Sequence, residues 1–501
     1  MKRTRIWMAV LCALCLPAAA RGQVTPQVRI PGYTVARVSD PVDSSFIAQM
    51  AFKPGDTGHL FAVQTGGAVR RYDYDAVTGQ LTNDRVVASG LGTEALGLGF
   101  HGDDLYVSLN LGEGDGRIAR MSAPDVNGVY QTRHDFVHSI PMGWHDVDQI
   151  QIVGDTLYVG IGAVRRTGNP AEENVYTMTI ARIVDLTQAD FSGPIGPDFK
   201  GPVNHLANPT EWLNTSGSDG QLRYYASGFR NPFGIAIDDD GDLWVSTNGN
   251  SDAGFLSPDL LYGKVPLGGM GTFPPASFGY GPPYIVGTPI APLADLGQNP
   301  SPVGFDFVPS GRDRGMVIVA QAGAADQAQY PVGKDVLRVD PVTGSFEILL
   351  DDMSLPTDVV RDPFGRLLVS DLADWSVWLL TPPPAEPAGR VPDGATGQPL
   401  TVSHAPGNDV TLDWSSSCAV GDDDYEVYEG TLGTYSDHQP VTCTTGGATT
   451  LTFAPAPGSS YFLVVPTNGG AEGSHGLDGN EAERPRGPAP CLPQAIEPVC
   501  P

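Results

Sequence analysis

One short strand pattern recurs six times through the first 380 residues: LFAV from Leu60, LYVS from Leu105, LYVG from Leu157, LWVS from Leu243, VIVA from Val317 and LLVS from Leu367. A repeat of this kind constrains a chain more than composition does, because each unit is one piece of supersecondary structure that buries its apolar face only against its neighbours. Most copies follow a second apolar strand across a tight reversal, as in IQIVGDTLYVG, IAIDDDGDLWVS and VVRDPFGRLLVS. Gly-Asp, Asp-Gly or Phe-Gly supplies the turn. Several are followed by a third strand, such as GRIARM, DVLRVD and SVWLLT. Strand, hairpin, strand, strand is the anatomy of a propeller blade, so the expectation is an all-β chain with a six-bladed β-propeller over residues 28–380. The segment GYTVARVSD, Gly32 to Asp40, alternates like a strand but has no blade of its own. It is expected to pair into the sixth blade and close the ring, since an open ring leaves two unpaired edges. The long intervals Asp190 to Gly220 and Tyr262 to Gln298 read as loops on a propeller face.

Composition agrees, with 62 Gly and 45 Pro among 501 residues disfavouring long helices. Residues 1–22 read as a signal peptide: Lys2, Arg3 and Arg5 precede an apolar run from Ile6 to Ala20, and Ala20 and Gly22 are small. The mature protein is therefore expected to be secreted or periplasmic, with no later stretch near the roughly 20 apolar residues of a spanning helix. Acidic residues outnumber basic ones 57 to 29. Such a surface repels nucleic acid and anionic lipid and favours solubility.

After Leu380 the sequence changes to TPPPAEPAGRVPDG, so 381–397 reads as a Pro-rich linker. Residues 398–501 carry alternating strands in LTVSHAPGNDVTLDW, YEVYEG, TTLTFAP and SYFLVVPTNGG, spaced as in a small β-sandwich of fibronectin type III or immunoglobulin-like type. Beyond the leader the cysteines are Cys418, Cys443, Cys491 and Cys500, all in this module. An even number in an exported chain indicates two disulfides; three pairings are open, and sequence proximity favours Cys418 with Cys443 and Cys491 with Cys500.

The block ASGFRNPFGIAIDDDGDLWVSTNG, Ala226 to Gly249, resembles the Arg-Asn-Pro block of the glucose/sorbosone dehydrogenase family, which includes the soluble quinoprotein glucose dehydrogenases. Further blocks agree in order: TEALGLGFH, Trp144-His145 before an LYV strand, SPDLLYGKV with FGYGPPY, SPVGFDFVPSGRDRGMVIVAQAG with GKDVLRVD, and PTDVVRDPFGRLLVSD. The resemblance spans roughly Phe46 to Leu380. It implies an exported oxidoreductase that binds pyrroloquinoline quinone (PQQ) with calcium, oxidises a sugar substrate and passes electrons to an external acceptor.

The residue types suit that chemistry. PQQ is a flat quinone with three carboxylates, and Arg230 and Lys334 are cations on loops. In this reading Arg230 and Asn231 hold the quinone, Lys334 neutralises a carboxylate, Glu94 lines the same axial face, and His145 is the base that takes the hydroxyl proton. Asp146 or Asp148 is a candidate to orient His145, and calcium would be bound by carboxylates and carbonyls that the sequence does not single out. Each role has a structural counterpart: Arg230 bridging loop carbonyls, Lys334 an exposed turn lysine, His145 a packed loop histidine. Asp238 to Asp242 reads as a hairpin tip rather than a calcium cluster, because the strand pattern resumes at once.

The chain departs from the family pattern at Ala163-Val164, Leu260, Tyr262 and Ala322. Those departures favour a second reading, a non-catalytic propeller that binds carbohydrate or a surface protein. A propeller hydrolase has less behind it, because no nucleophile elbow or paired-carboxylate motif stands out.

Overall fold

The computed structural model describes residues 25–39, 47–92, 94–112, 115–140, 142–163, 178–184, 186–187, 222–250, 257–272, 288–323, 332–372, 376–392, 397–419, 421–468 and 470–497. The signal-peptide reading therefore lies outside the described residues, as do Val164 and Cys500. Among the described residues no helix is long and apolar enough to cross a membrane. The chain divides into two compact units, Met1–Phe307 with Met316–Thr381, and Val308–Gly315 with Pro382–Pro501.

The first unit is a β-propeller whose described strands form six sheets, antiparallel throughout except where Gly269–Met270 and Thr288–Pro289 add in parallel to the edge of one. Blade one is Ile47–Phe52, His59–Gln64, Ala68–Tyr74 and Leu81–Ala88; blade two is Ala95–His101, Asp104–Asn110, Gly116–Pro124 and Tyr130–Ile140. Blade three is Val147–Val153, Thr156–Ile161, Thr179–Ile183 and Leu222–Ser227; blade four is Gly234–Ile237, Leu243–Thr247, Asp259–Tyr262 and Ala294–Gly297. Blade five is Pro302–Phe307, Val317–Gln321, Asp335–Val339 and Phe346–Asp351. Blade six takes Pro356–Arg361, Leu367–Asp371 and Ser376–Thr381 from the end of the repeat and its outermost strand, Thr34–Arg37, from the beginning. Thr34–Arg37 runs antiparallel to Ser376–Thr381, with Thr34 opposite Thr381, so the early orphan strand closes the ring as its alternation predicts. A second early strand, Gln27–Val28, covers the outer edge of blade five, which the sequence did not suggest.

The first strands of successive blades pack against one another in order, and blade six returns to blade one. The core lies between blades rather than at the axis. Tyr106, Ile118 and Phe136 of blade two meet Ile150, Leu157 and Val159 of blade three, and Trp244 and Leu261 of blade four meet Phe305 and Val319 of blade five. Each sheet thus buries both faces, which explains why the repeated strands read as continuous apolar runs.

Toward the axis the packing is polar and extensively hydrogen-bonded. Gln49 donates from Nε2 to the Ile150 carbonyl at 2.8 Å and accepts at Oε1 from Leu98 N at 2.8 Å and Ile150 N at 3.1 Å, so one side chain ties three blades. Asp358 accepts from Met50 N at 2.6 Å and Gln149 Nε2 at 2.9 Å. A Cβ on Gly304 would lie 1.9 Å from Asp358 Oδ1, so only glycine fits there.

The second unit contains two three-stranded antiparallel sheets, Thr401–His404, Val410–Asp413 and Thr450–Phe453 in one, Gln439–Thr442, Asp424–Thr431 and Ser460–Thr467 in the other. Its small core gathers Leu412, Trp414, Tyr425, Val427 and Val464. Of the segment 381–397 expected as a linker, Ala388 is fully buried and donates its N–H to the Ala495 carbonyl at 2.7 Å, so this part is built into the unit. The disulfide pairing differs from the one sequence proximity favours. Cys443 bonds Cys491, with their Cα atoms 5.6 Å apart, and Cys418 is also disulfide-bonded. Separation along the chain is a poor guide here because folding, not the linker length, decides which Cβ vectors face each other.

Candidate functional site

Every first strand of a blade starts, and every second strand ends, at one face of the propeller, as the pairings of Val147 with Ile161 and Gly234 with Ser246 illustrate. His145 precedes the first strand of blade three, Arg230 and Asn231 that of blade four, and Glu94 that of blade two. Lys334 precedes the third strand of blade five, after the end of its second strand. Topology therefore puts all five on the same face.

Three of them converge more closely. His145 N donates to the Ala163 carbonyl at 3.0 Å, Gly162 N to the Asp146 carbonyl at 2.9 Å, and Ala163 N to the Arg230 carbonyl at 2.8 Å. The end of blade three is thereby stitched to the Arg-Asn-Pro turn of blade four. A Cβ on Gly162 would stand 2.4 Å from His145 Cβ and 2.5 Å from Asn231 Oδ1, so the glycine of the Ile161-Gly162 pair is what lets the imidazole and the amide approach.

Asn231 is buried; its Nδ2 donates to Asn248 Oδ1 at 2.8 Å and its N–H to Thr247 Oγ1 at 3.3 Å. Its Oδ1 has no hydrogen-bond partner, and neither has the buried Nε2 of His145. Burial, followed by the nearby Arg230 charge, drives the His145 pKa well below its usual value, so the ring is neutral near pH 7.

Arg230 is buried at 6% exposure and donates from Nη1 to the Gly249 carbonyl. Its charge also acts on Asp259, a buried carboxyl that accepts from Gly249 N at 2.6 Å and Ser301 N at 2.7 Å. Burial still carries Asp259 up to about 7.

Glu94 reaches the cluster through its backbone: its carbonyl accepts from Asn110 N at 2.8 Å, and Asn110 Oδ1 accepts from Val147 N at 2.9 Å. Lys334 has φ of +65°, a left-handed turn that side-chain-bearing residues seldom adopt, and donates its N–H to the Gln321 carbonyl at 2.7 Å. Strain in such a loop residue is a pointer to function.

Asp148 is buried at 1% exposure, with Oδ2 unpartnered and its pKa pushed well up, by burial and then by Asp146. Among the described residues no hydrogen bond joins the His145 ring to Asp146 or Asp148, so neither orients it as expected. Leu260 and Tyr262 pack with Phe229 in the core between blades three and four, where Tyr262 Oη meets Thr272 Oγ1 at 2.8 Å. These two departures from the family pattern are therefore core positions. Asp238, Asp240 and Asp242 form the expected hairpin tip, where Asp238 accepts from Asp242 N at 2.8 Å and Trp244 Nε1 at 2.9 Å. Lys264 Nζ stands 3.0 Å from Asp240 and from Asp242 and 3.9 Å from Asp238, so an ammonium already balances the cluster.

Further unpartnered buried atoms lie at the same end of other blades: Gln64 Nε2, Gln298 Oε1, Gln321 Nε2 and Asp335 Oδ1. Sequence reading missed these. The only hint was that Asp335 adjoins Lys334 and that Gln64 and Gln321 end the repeated strand. Buried polar groups are ordinarily paired, so each exception is a place that water or a ligand completes; others, such as Arg182 Nε and Trp378 Nε1, lie along the strands rather than at this face.

No protein-family model matches the sequence, and no curated protein matches it. Among solved structures, the holo form of the PQQ domain of pyranose dehydrogenase from Coprinopsis cinerea is similar over 73% of this chain and 99% of its own, at 16% identity and a TM-score of 0.54. The calcium structure of a Trichoderma reesei enzyme of carbohydrate-active family AA12 is similar over 72% of this chain and 98% of its own, at 14% identity and a TM-score of 0.55. At such identities the likeness shows a shared fold.

Proposed function

We propose that this chain is an exported, PQQ-dependent sugar dehydrogenase. The observation that carries it is the convergence of His145, Asn231 and Arg230 at one propeller face, with the Nε2 and Oδ1 atoms buried and unpartnered. The residues suit the cofactor in charge: Arg230 is a buried guanidinium and Lys334 an ammonium on the same face, in a chain otherwise acidic. Arg230 and Asn231 would hold the quinone, Lys334 would neutralise a carboxylate, and Glu94 would line the face. Bound there, the quinone supplies a two-electron acceptor for the hydride that leaves the sugar carbon. His145 takes the proton of the same hydroxyl at Nε2, which the burial and the Arg230 charge keep unprotonated near pH 7. The similarity in fold to a PQQ domain supports this reading. Calcium remains part of the proposal through the carboxylates and carbonyls of the face, although the one acidic triad among the described residues is the hairpin tip with Lys264.

One observation favours the second reading, a propeller that binds without catalysis: Arg230 already donates to Gly249 and sits beside Asp259, so it has a structural role with no ligand. The two separate on a single experiment. Quinone and calcium are added to the purified apo-protein, the bound-quinone spectrum is recorded, and dye reduction is followed over a sugar panel. Saturable quinone binding lost in Arg230→Ala, with dye reduction lowered about 10²- to 10⁴-fold in His145→Ala, is the expected result. Absence of quinone binding with and without calcium leaves the binding propeller.

A further inference from the structure

The second unit holds a cavity of about 510 Å³ that the propeller chemistry does not use. Its wall includes Asp423, Asp424, Glu426, Thr467, the Cys443–Cys491 disulfide and, from the unit's own 308–315 segment, Arg314. The volume falls in the range of small-molecule pockets, roughly 300–1,000 Å³. One wall is fixed, because Asp424 accepts from Thr445 N at 2.9 Å and Gly447 N at 3.0 Å and so holds the 444–447 loop in place.

A proton inventory identifies the state of Glu426. The Tyr428 hydroxyl oxygen accepts from Cys491 N at 2.9 Å and lies 2.8 Å from both Glu426 Oε2 and Glu472 Oε2. A phenol has one proton and can donate to one carboxylate only, so the other contact needs a proton on a carboxyl. Glu472 accepts from Arg486 Nε at 2.6 Å and faces His475 Nε2 at 3.1 Å, which holds it ionised. The proton therefore belongs to Glu426, which is fully buried and has no cation beside it in the described structure. With Oε2 engaged by Tyr428, Glu426 Oε1 is left as a carbonyl-like acceptor, buried and without a partner.

We propose that this cavity binds an uncharged polyhydroxy compound, of the chemical class of a mono- or disaccharide, with Glu426 receiving one of its hydroxyl protons at Oε1. An anion meets Asp423 and Asp424. A cation meets the same two carboxylates, but Asp424 is already taken up by the N–H groups of Thr445 and Gly447, the Arg314 guanidinium opposes it and Glu426 offers a neutral acid. An apolar ligand finds little beyond Leu492 and the disulfide. Hydroxyls, which both donate and accept, match what remains.

The groups that bear on Glu426 are Tyr428 and Glu472 directly, Asp424 on its own strand, and His475, His438 and Arg486 behind them. Burial and the neighbouring Glu472 raise the Glu426 pKa, so ligand binding weakens when alkaline pH ionises it.

Hydrogen exchange on the full chain, with cellobiose as probe, localises the event to this unit whether or not the propeller binds quinone. The expected result is slower exchange in peptides covering 421–431 and 443–447 at about pH 6, reduced at about pH 9, where a carboxyl with a raised pKa is ionised. Glu426→Gln, which keeps a neutral side chain with an acceptor, retains the protection at both values. Glu426→Leu loses it while keeping the melting transition of the unit. Protection by tetramethylammonium in place of cellobiose, protection that survives in Glu426→Leu, or none with cellobiose at all overturns the proposal.

Discussion

The propeller and the C-terminal unit solve the same burial problem with different means. In the propeller each sheet is covered on both faces by its neighbours, its core residues such as Leu60, Val107 and Val245 are fully buried, and its described residues include no cysteine. In the C-terminal unit one sheet begins with Thr401–His404, exposed along its whole length, and the core is a handful of side chains around Trp414. A small domain cannot bury enough apolar surface to offset chain entropy, so covalent links and buried polar pairs supplement it. The teaching of the contrast is where polar groups sit. The C-terminal unit links Glu426, Tyr428, Glu472 and Arg486 to one another and leaves a single oxygen of Glu426 open beside its cavity, whereas the propeller leaves atoms of His145, Asn231 and Asp148 incomplete at one face.

The largest expected effect breaks the comparison along its covalent line. Cys443→Ser with Cys491→Ser should cost the C-terminal unit about 2–5 kcal/mol, with the propeller transition unmoved, since it has no disulfide to lose. Calorimetry resolving two transitions checks this; a single transition that shifts as a whole contradicts the separation.

Within the propeller, Gly162→Ala should destabilise by about 1–3 kcal/mol because its Cβ would collide with His145 and Asn231. Loss of dye reduction should exceed the loss of stability, and denaturant melts beside activity assays separate the two. Gly154→Ala has open space around its Cβ and a left-handed φ of +55°, so it should cost less, with activity retained.

The two units should also differ in their response to pH. Asp358 has its pKa raised by burial to about 8, above the ordinary carboxylate value. The folded propeller therefore holds a proton that the unfolded chain releases above about pH 4. Stability linked to Asp358 is full below that pH and declines as the pH climbs toward 8, so the propeller should melt lower at about pH 8 than at about pH 5. Asp358→Asn should flatten that slope; an unchanged slope assigns it to other groups.

The smallest effect is expected at the surface. Lys264→Met removes the ammonium from the Asp238–Asp242 tip, but the pair is solvent-screened and should be worth no more than about 1 kcal/mol. Added calcium that restores the loss would show that the tip takes a cation once Lys264 is gone.

Much of this architecture was legible in the amino-acid order. Six copies of one strand pattern implied blades, and the early strand at Thr34–Arg37 was identifiable because it alternated without a hairpin partner. Candidate site residues could be named where they sat in a local motif, as Arg230 and Asn231 do in Arg-Asn-Pro and His145 does before an LYV strand, and the structure brings these three together at one face. Periodicity and turn chemistry are local properties, carried by residues a few positions apart. What only the tertiary structure decided is everything that depends on distance across the chain: that Cys443 meets Cys491, that Leu260 and Tyr262 face the core, that a buried oxygen of Asp148 is left without a partner, and that Gly162 makes room for Asn231. Such encounters depend on how separate blades and loops are brought together, and a carboxyl's protonation or a cysteine's partner is set by the neighbours it meets there.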